Sequence, residues 1–542
     1  MRLRKTASCC AAALMALMTW MSCAPVAIAQ VAEASPWPAA PPRPNGEGDG
    51  PFHRLVIEGG LLINGAGFAP YGPVTIVIER NRIVEIRSLA RRDQAARRPE
   101  IGPNDKLIDA RGSYILPGFV ETHTRIHHDD TVKTPTDYVL KLLLAHGITT
   151  TTAMQEESRI GWALELQKQS AQNQITSPRI QVWADLCASS PEEIRAKIRQ
   201  YARRGVSGIG EGAICGSPAV KRAGLDEAKK LGLPSMFDMD RKEVPRFNAL
   251  DAARAGLGGL NHFYGLPEAL LDDRTLPHFP ADYNWSDFRA RFQEAGRLWQ
   301  QAAKPYTERW NKVLDELLAL DFTLEPTFSV YEGARDYMGA RRAEWHDEYL
   351  HPQYVKEFEP RMDALNGHQY DWTTTDEVEW KNSFRLWMTF VNEYKNRGGR
   401  VVAGDDPGYL WSNYGFGFIR NLEMLQEAGF TPLEVISSAT LKGAQLLKMD
   451  DQIGSIEVGK LADLVIVEKN PLENLKVLYG TGVISLNNDV VTRAGGVKYT
   501  IKDGIVFDAK ALLADVRTMV KDAKAGQTPT LSTGGPNKQP GS

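Results

Sequence analysis

From Tyr114 to about Ala444 the chain alternates short apolar runs with helix-length amphipathic stretches. This alternation is typical of βα units, in which helices cover a parallel sheet. Eight runs have the character of strands, which predicts an α/β fold built on a parallel (β/α)8 barrel. The predicted strands are Ile115–Val120, Ile148–Ala153, Ile180–Ala184, Gly208–Gly210, Pro234–Asp238, Gly259–His262, Thr323–Thr327 and Val401–Asp405. Catalytic groups of such barrels lie at the carboxyl ends of the strands, so the residues that close these runs are candidates for a site.

Two segments, 263–321 and 329–399, are too long to be simple connections between barrel strands. Seven of the twelve tryptophans lie between positions 281 and 390. Long insertions after barrel strands often cover a site, so one interpretation is an aromatic-rich lid. The other is that these rings form the hydrophobic core of a helical insertion.

The N-terminus has the residue order of a secretory signal peptide. Basic residues at positions 2, 4 and 5 precede an apolar run from Ala7 to about Met21, and small residues follow up to Ala29. We predict cleavage after Ala29 (residues 1–29) and an exported protein, periplasmic or secreted. The apolar run is shorter than the ~20 residues that span a bilayer, which disfavours a membrane anchor. Cys23 leaves a lipoprotein as an alternative.

Composition limits the partners and the remaining segments. Residues 30–52 are rich in Pro, Gly and acidic side chains and are predicted to be a linker, and residues 511–542 a helix and a disordered tail. The formal net charge is -3 and no dense basic segment follows the signal, so we expect a small-molecule substrate, no nucleic acid and no membrane contact beyond export. Cys187 and Cys215 are the cysteines of the mature chain, and they form either one disulfide or two separate thiols.

Two segments carry a family resemblance. Leu107–His123 (LIDARGSYILPGFVETH) and Ile453–Pro471 (IGSIEVGKLADLVIVEKNP) resemble the opening and closing segments of the amidohydrolase superfamily, imidazolonepropionase-like or cyclic amidohydrolase-type metal-dependent hydrolases. The resemblance implies a TIM barrel over 119–450 and a small composite β-sandwich formed by 53–118 and 451–510. Separate β-meanders at the two chain ends are the alternative, because β-branched runs occur at both.

The resemblance also implies a metal site, and this chain departs from the pattern. Members of the family hold one or two divalent metals with a His-x-His, a carboxylated Lys, two further His and an Asp on successive strands. Of these positions, His123, His262 and Asp406 match. Arg125, Gly210 and Asp238 occupy the remaining ones and do not match.

Three interpretations of the altered site follow. In the first interpretation, His123, Asp238, His262 and Asp406 hold a single divalent metal ion, for which zinc is the first candidate. In the second interpretation the site is metal-free, and the Arg125 guanidinium supplies the positive charge while paired with Asp238 or Asp406. In the third, the cluster at 127–130 (His-His-Asp-Asp) supplies replacement ligands.

The function predicted is hydrolysis of a carbon–nitrogen bond (non-peptide, or a small dipeptide-like amide) or a lactone bond in a small molecule, with water as nucleophile. Asp406 is the expected general base, with His262 and Arg125 polarising or anchoring the substrate. An acid/base pair beside an arginine also suits a metal-free lyase or isomerase, and loss of ligands suits an inactive binding protein.

Overall fold

The computed structural model describes residues 37–88, 99–127, 132, 134–239, 242–359 and 368–526. The predicted signal peptide, the tail beyond 526 and the residues 128–130 lie outside these ranges. Within them, no helix is both long and apolar enough to cross a membrane.

Eight parallel strands in sequential order form the sheet that carries the site. They are β6 Phe119–Glu121, β7 Ile148–Glu156, β8 Arg179–Cys187, β9 Gly208–Cys215, β10 Ser235–Phe237, β11 Gly259–Asn261, β12 Thr323–Glu325 and β13 Arg400–Val401. Past the ends of the outer two strands, the Thr122 amide donates to the Ala403 carbonyl at 3.3 Å and the Asp406 amide to the His123 carbonyl at 3.1 Å. The predicted α/β class is confirmed, and the order is that of a TIM-like barrel.

The first predicted barrel strand is wrong in its bounds. Tyr114–Pro117 forms β5 of another sheet, and the barrel strand begins at Phe119. The chain changes sheets at Gly118, where a Cβ would lie 2.1 Å from the Thr149 hydroxyl. Only glycine allows this approach, and an apolar run cannot reveal that it is divided between two sheets.

Strands from both chain ends combine in the other eight-stranded sheet. Its members are β1 Arg54–Leu62, β2 Tyr71–Glu79, β3 Arg82–Ser88, β4 Lys106–Asp109, β5 Tyr114–Pro117, β14 Leu464–Val467, β17 Val497–Lys502 and β18 Ile505–Asp508. β14 pairs with β5 and β17, so the late strands join the early ones directly. The strands form one hydrogen-bonded sheet with its own core of Leu, Ile and Val, and the finer prediction of a two-layer sandwich is not established. A separate hairpin consists of β15 Val483–Asn487 and β16 Val490–Ala494.

Helices cover the barrel and form the insertions. The helices are α1 Thr136–Ala145, α2 Ile160–Ala171, α3 Pro191–Arg204, α4 Pro218–Lys230, α5 Ala249–Arg254, α6 Leu266–Ala269, α7 Phe288–Ala295, α8 Leu298–Gln301, α9 Glu308–Ala319, α10 Phe328–Arg335, α11 Tyr337–Arg341, α12 His346–Tyr349, α13 Pro352–Phe358, α14 Thr374–Asn396, α15 Phe416–Glu427, α16 Pro432–Ser438, α17 Leu441–Leu446 and α18 Ala509–Ala525. Short 3₁₀ turns lie at His368–Asp371 and Leu475–Leu478.

Several tryptophans of the two insertions are core residues. Trp299, Trp310, Trp380 and Trp387 are at most 1% exposed. Trp380 and Trp387 also pack against Tyr331, whose ring lies edge-on to His262 at 5.4 Å. The insertions therefore have an aromatic core that continues to the edge of the candidate site.

The segment predicted to be a linker lies against the barrel where it is described. Trp37 is buried, and the Pro38 carbonyl accepts hydrogen bonds from Thr136 and Trp162 at 2.6 and 3.2 Å. Glu47 forms an ion pair with Lys141 at 2.8 Å. Residues 37–49 are thus held by specific contacts.

The two cysteines left open by the sequence form a disulfide, Cys187–Cys215. They end the adjacent strands β8 and β9 and are register partners, with Cα atoms 4.7 Å apart. The bridge ties two strands together at the carboxyl end of the barrel.

Candidate active site

Three of the predicted ligands meet at the carboxyl end of the barrel. His123, His262 and Asp406 follow β6, β11 and β13, and one ligand atom from each lies within 4.8 Å of the others. All three residues are buried. His123 Nε2 is 3.5 Å from Asp406 Oδ1, and His262 Nε2 is 3.8 Å from Asp406 Oδ2. Two imidazoles and a carboxylate are the three-ligand set of many catalytic zinc sites, so this group could hold one divalent metal.

The backbone at these strand ends is strained. His262, Thr327 and Asp406 have φ values of 61°, 46° and 47°, in the left-handed region that non-glycine residues rarely adopt. Such conformations persist where surrounding structure enforces them, and they concentrate at functional sites. The Thr327 hydroxyl lies 2.5 Å from His262 Nδ1, which orients the ring so that Nε2 faces Asp406.

Buried carboxylates orient the other imidazole. His123 Nδ1 donates to Glu325 Oε2 at 2.9 Å, and Glu325 also accepts hydrogen bonds from Thr122 and Asn261. His123 Nε2 is buried and has no hydrogen-bond partner among the described residues. Burial by itself would lower the pKa of His123, but the Asp406 and Glu325 carboxylates outweigh it and raise the pKa. This carboxylate–histidine arrangement is the usual support of a metal ligand.

Arg125 lies beside the same carboxylate. Its Nη1 is 3.2 Å from Asp406 Oδ1 and 3.1 Å from the Tyr409 hydroxyl, and the guanidinium lies over the Tyr409 ring at 5.3 Å. The Tyr414 hydroxyl donates to the Arg125 carbonyl at 2.7 Å. Asp406, one of the two predicted partners, forms an ion pair with Arg125. The guanidinium contacts Oδ1, while Oδ2 faces His262.

Asp238 follows β10 but is not a member of the three-residue group. Its charge instead acts on Asp185, a residue of β8 that the sequence did not single out. Burial raises the pKa of Asp185 to about 6, the negative charges of Glu156 and Asp238 add to the rise, and Arg125 opposes it. Asp185, Asp238 and Arg125 therefore form an electrostatically coupled set next to the ligand group.

A second buried acid pair lies beneath the group. The side chains of Glu121 and Asp405 share a hydrogen bond, and Glu121 Oε1 accepts the His123 amide at 2.8 Å. Burial raises the pKa of both carboxyls, that of Asp405 to about 7, and their mutual repulsion adds to the rise for Glu121. The pair thus shares a proton near neutral pH and supports the backbone of His123.

His127, one of the proposed replacement ligands, has a structural role. Its Nε2 lies 2.9 Å from the Thr136 hydroxyl, and its ring packs between Trp37 and Trp162. Burial lowers its pKa to about 4. It does not belong to the metal-capable group, and the other members of that predicted cluster lie outside the described residues.

Several site residues were not predicted from the sequence. Glu325, Asn261, Thr327 and Asp185 all lie at or near the carboxyl ends of predicted strands. The rule that catalytic groups lie at the carboxyl ends of barrel strands could have selected them. Tyr409 follows the last strand in a loop without a recognisable pattern, so no sequence signal marked it.

Sequence comparison identifies a family region and distant relatives. Residues 395–506 match the amidohydrolase family model. Imidazolonepropionase of Symbiobacterium thermophilum is 24% identical over 461 residues, which cover 80% of this chain and 95% of that protein. The 5'-deoxyadenosine deaminase of Methanobrevibacter smithii is 30% identical over 108 residues, 20% of this chain and 24% of that protein.

Structure comparison gives the same fold. A Xaa-Pro dipeptidase with bound methionine superposes with a TM-score of 0.55 at 18% identity, covering 84% of this chain and all of that one. Bottromycin amidohydrolase gives a TM-score of 0.58 at 17% identity over 87% and 91% of the two chains. Together, these comparisons identify an amidohydrolase family region at residues 395–506, distant sequence similarity to an imidazolonepropionase and a fold similar to that of the two solved structures.

Proposed function

We propose that the protein is a hydrolase that cleaves a carbon–nitrogen bond of a small molecule, using one divalent metal ion, zinc first, and water. The observation that carries the proposal is the buried group of His123, His262 and Asp406, with its ligand atoms within 4.8 Å of one another. The relatives named above are the second support, since one is an imidazolonepropionase and one a deaminase.

The residues present fit one metal ion. His123 Nε2 is a buried donor atom without a hydrogen-bond partner in the described chain, and its Nδ1–H is held by Glu325. The His262 ring is held by the Thr327 hydroxyl, which lies 2.5 Å from His262 Nδ1. Such a metal ion polarises a carbonyl oxygen and lowers the pKa of water. A second metal is not part of the proposal, because Arg125 and Gly210 stand where further ligands would be needed.

Three side chains of the site have distinct proposed roles in the reaction. Asp406 accepts the proton of the attacking water and returns it to the leaving nitrogen, because its carboxylate lies between His262 and Arg125. Arg125 carries a permanent positive charge next to that carboxylate and stabilises negative charge that develops on the substrate. His262 orients the substrate, and the Asp185 carboxyl interacts electrostatically with Arg125.

One observation favours a second candidate. Arg125 pairs with Asp406 Oδ1 at 3.2 Å, so the guanidinium can supply the positive charge in place of a metal. The reaction would then be metal-free, either hydrolysis or an elimination or isomerisation by the His262 and Asp406 acid/base pair.

Metal content separates the two candidates. Protein purified without chelator is analysed by elemental mass spectrometry, together with the His262→Ala and Arg125→His variants. About one zinc per wild-type chain, lost in His262→Ala, is the expected result. No metal in the wild type, with metal gained in Arg125→His, contradicts the metal-dependent proposal.

A substrate assay completes the test. Small amides, cyclic amides and lactones are incubated with the enzyme in ¹⁸O-water, with Asp406→Asn as the inactive control. Solvent oxygen in the product supports hydrolysis, whereas an unlabelled product from an active enzyme indicates elimination or isomerisation.

Export is also part of the proposal. The N-terminal residue order supports it, and the disulfide Cys187–Cys215 is of a kind that persists in oxidising compartments. Fractionation of cells that express the full chain, followed by N-terminal sequencing, tests it. Full-length protein in the cytoplasmic fraction would contradict export.

A further inference from the structure

The hairpin of β15 and β16 exposes an apolar surface. Ile484, Leu486, Val490 and Val491 are 52%, 70%, 59% and 69% exposed. The register pairs Leu486 with Val491, and Ile484 lies two residues before Leu486, so these three side chains share one face of the hairpin. Val490 lies on the other face. The exposed surface of the three amounts to roughly 300–400 Å², an apolar patch of the size that often marks an interaction site.

The outer edge of β15 is open. Within the described ranges, β15 pairs with β16 and with no other strand. The turn 488–489 has φ values of 48° and 63°, typical of a two-residue type I′ turn. The residue pair that closes such a turn is hydrogen-bonded, and bonded pairs alternate along the ladder. The backbone N–H and C=O groups of Ile484 and Leu486 are therefore directed away from β16.

The two strands of the hairpin differ in their charge. Edge strands are usually protected against pairing by charged side chains or by proline, and β15 (VISLN) contains neither. β16 contains Arg493, which pairs with Glu344 at 3.2 Å and ties that strand to the rest of the chain. An uncharged edge with outward-facing backbone groups favours the addition of another extended strand.

We infer that β15 pairs with β15 of a second copy of this chain, antiparallel about a two-fold axis at Ser485. In this register Ile484 lies opposite the partner's Leu486, and Leu486 opposite the partner's Ile484, so both pairs are apolar. The outward N–H and C=O groups of these residues then bond to one another, and the two apolar patches become continuous. The same pairing through β16 would instead place Val491 opposite the partner's Arg493, so β15 is the self-complementary strand.

The size of this contact indicates a weak dimer. The two patches and the paired strand edges bury about 800–1,000 Å² in total, below the roughly 1,200 Å² at which stable complexes begin. A dissociation constant on the order of 10 µM is expected. An open cavity of about 440 Å³ borders Val483, the residue that lies opposite the partner's Asn487, so there is space for the partner's turn. The inference does not depend on the proposed hydrolase activity.

Sedimentation velocity of the mature protein at about 1 to 200 µM tests the self-association. The wild type is expected to change from monomer to dimer over this range. Leu486→Lys is expected to raise the dissociation constant at least about 10-fold, because each dimer loses two buried leucines. The matched control is Val490→Lys, which alters an exposed side chain on the other face and is expected to leave the dimer unchanged. A wild type that stays monomeric throughout, or a Leu486→Lys variant that associates equally well, would overturn the inference.

A cysteine at the axis tests the register. Ser485 and the partner's Ser485 would form a non-hydrogen-bonded pair with Cα atoms about 4.5 Å apart, within the range of a disulfide. Oxidised Ser485→Cys is therefore expected to run as a covalent dimer on a non-reducing gel, and Cys187 and Cys215 do not interfere because they are bonded to each other.

Asn487→Cys is the control for random collision. It lies closer to the exposed turn, but in the inferred register it is about 13 Å from the partner's position 487, so it is expected to stay monomeric on the gel. Equal cross-linking of Asn487→Cys and Ser485→Cys would overturn the register. Cross-linking of Thr492→Cys in place of Ser485→Cys would place the contact on β16 and overturn the inference.

Discussion

Arg179 joins the barrel to the β-sheet formed by both chain ends. The guanidinium, at the start of β8, pairs with Asp463 at 2.5 Å and with Asp503 at 2.6 Å. Asp463 also accepts the Asp503 amide at 2.9 Å, and the three side chains are at most 12% exposed. Asp463 belongs to the closing segment that carries the family resemblance. Asp463 therefore has a structural role: it holds the β-sheet of both chain ends to the amino end of the barrel, opposite the candidate active site.

Replacement of Arg179 by Met removes the cation that pairs with Asp463 and one of the two cations that pair with Asp503, the other being Lys502 at 3.2 Å. Removing one partner of a buried ion pair costs about 3–5 kcal/mol of unfolding free energy. Burial by itself would raise the pKa of Asp503, but Arg179 and Lys502 outweigh it and lower the pKa. A carboxyl with a lowered pKa stabilises the fold above its unfolded pKa and loses that contribution as pH falls through the folded value. Without Arg179 only Lys502 still opposes the effect of burial, so the pKa of Asp503 is higher in the variant, and the difference in unfolding free energy between variant and wild type narrows as pH falls below about 4.

Urea unfolding monitored by tryptophan fluorescence at pH 7 and at about pH 3.5 measures this effect. The control is Arg199→Met, which removes an arginine that is 45% exposed and pairs with Glu227 at 2.9 Å. An exposed pair of this kind contributes less than about 1 kcal/mol. A loss below 1 kcal/mol for Arg179→Met, or an equal loss at both pH values, would refute the reasoning.

Three further predictions concern the site and the fold. Glu325→Gln removes the carboxylate that holds His123, so metal affinity should fall about 10- to 100-fold in a chelator competition assay, and unchanged affinity would contradict its supporting role. Burial raises the pKa of Glu268 to about 7, so the wild type should lose stability as pH rises from 4.5 to 7, by up to about 3 kcal/mol. Glu268→Gln has no carboxyl to titrate at this position. The melting temperature of the variant minus that of wild type should therefore increase from pH 5 to pH 8, and a difference that stays constant would contradict the raised pKa of Glu268. Gly118→Ala should destabilise by at least about 1–3 kcal/mol because of the close threonine contact, whereas Gly102→Ala, with its nearest atom 3.5 Å away, should leave the melting temperature nearly unchanged.

The barrel strands could be predicted because each depends on local patterns. Apolar runs of strand length between helix-length amphipathic stretches are visible within about 10–15 residues. The family resemblance then indicated His123, His262 and Asp406 as candidate ligands, and the structure brings these three together. The resemblance also placed Asp238 at a ligand position, but Asp238 is not a member of the group, because a position in an alignment does not determine how far a side chain reaches into the site.

The amino-acid sequence by itself indicated eight barrel strands, and its resemblance to a known family indicated the candidate ligands His123, His262 and Asp406 and the departure at Arg125. Only the tertiary structure decided that Arg125 pairs with Asp406, 281 positions away, and that Glu325, 202 positions from His123, holds its imidazole. It also decided that the chain changes sheets at Gly118 and that Cys187 and Cys215 are bonded. Periodicity and motif spacing record interactions between near neighbours in the chain. Partners separated by hundreds of residues are selected by packing and by the burial of charge, which are properties of the folded chain as a whole.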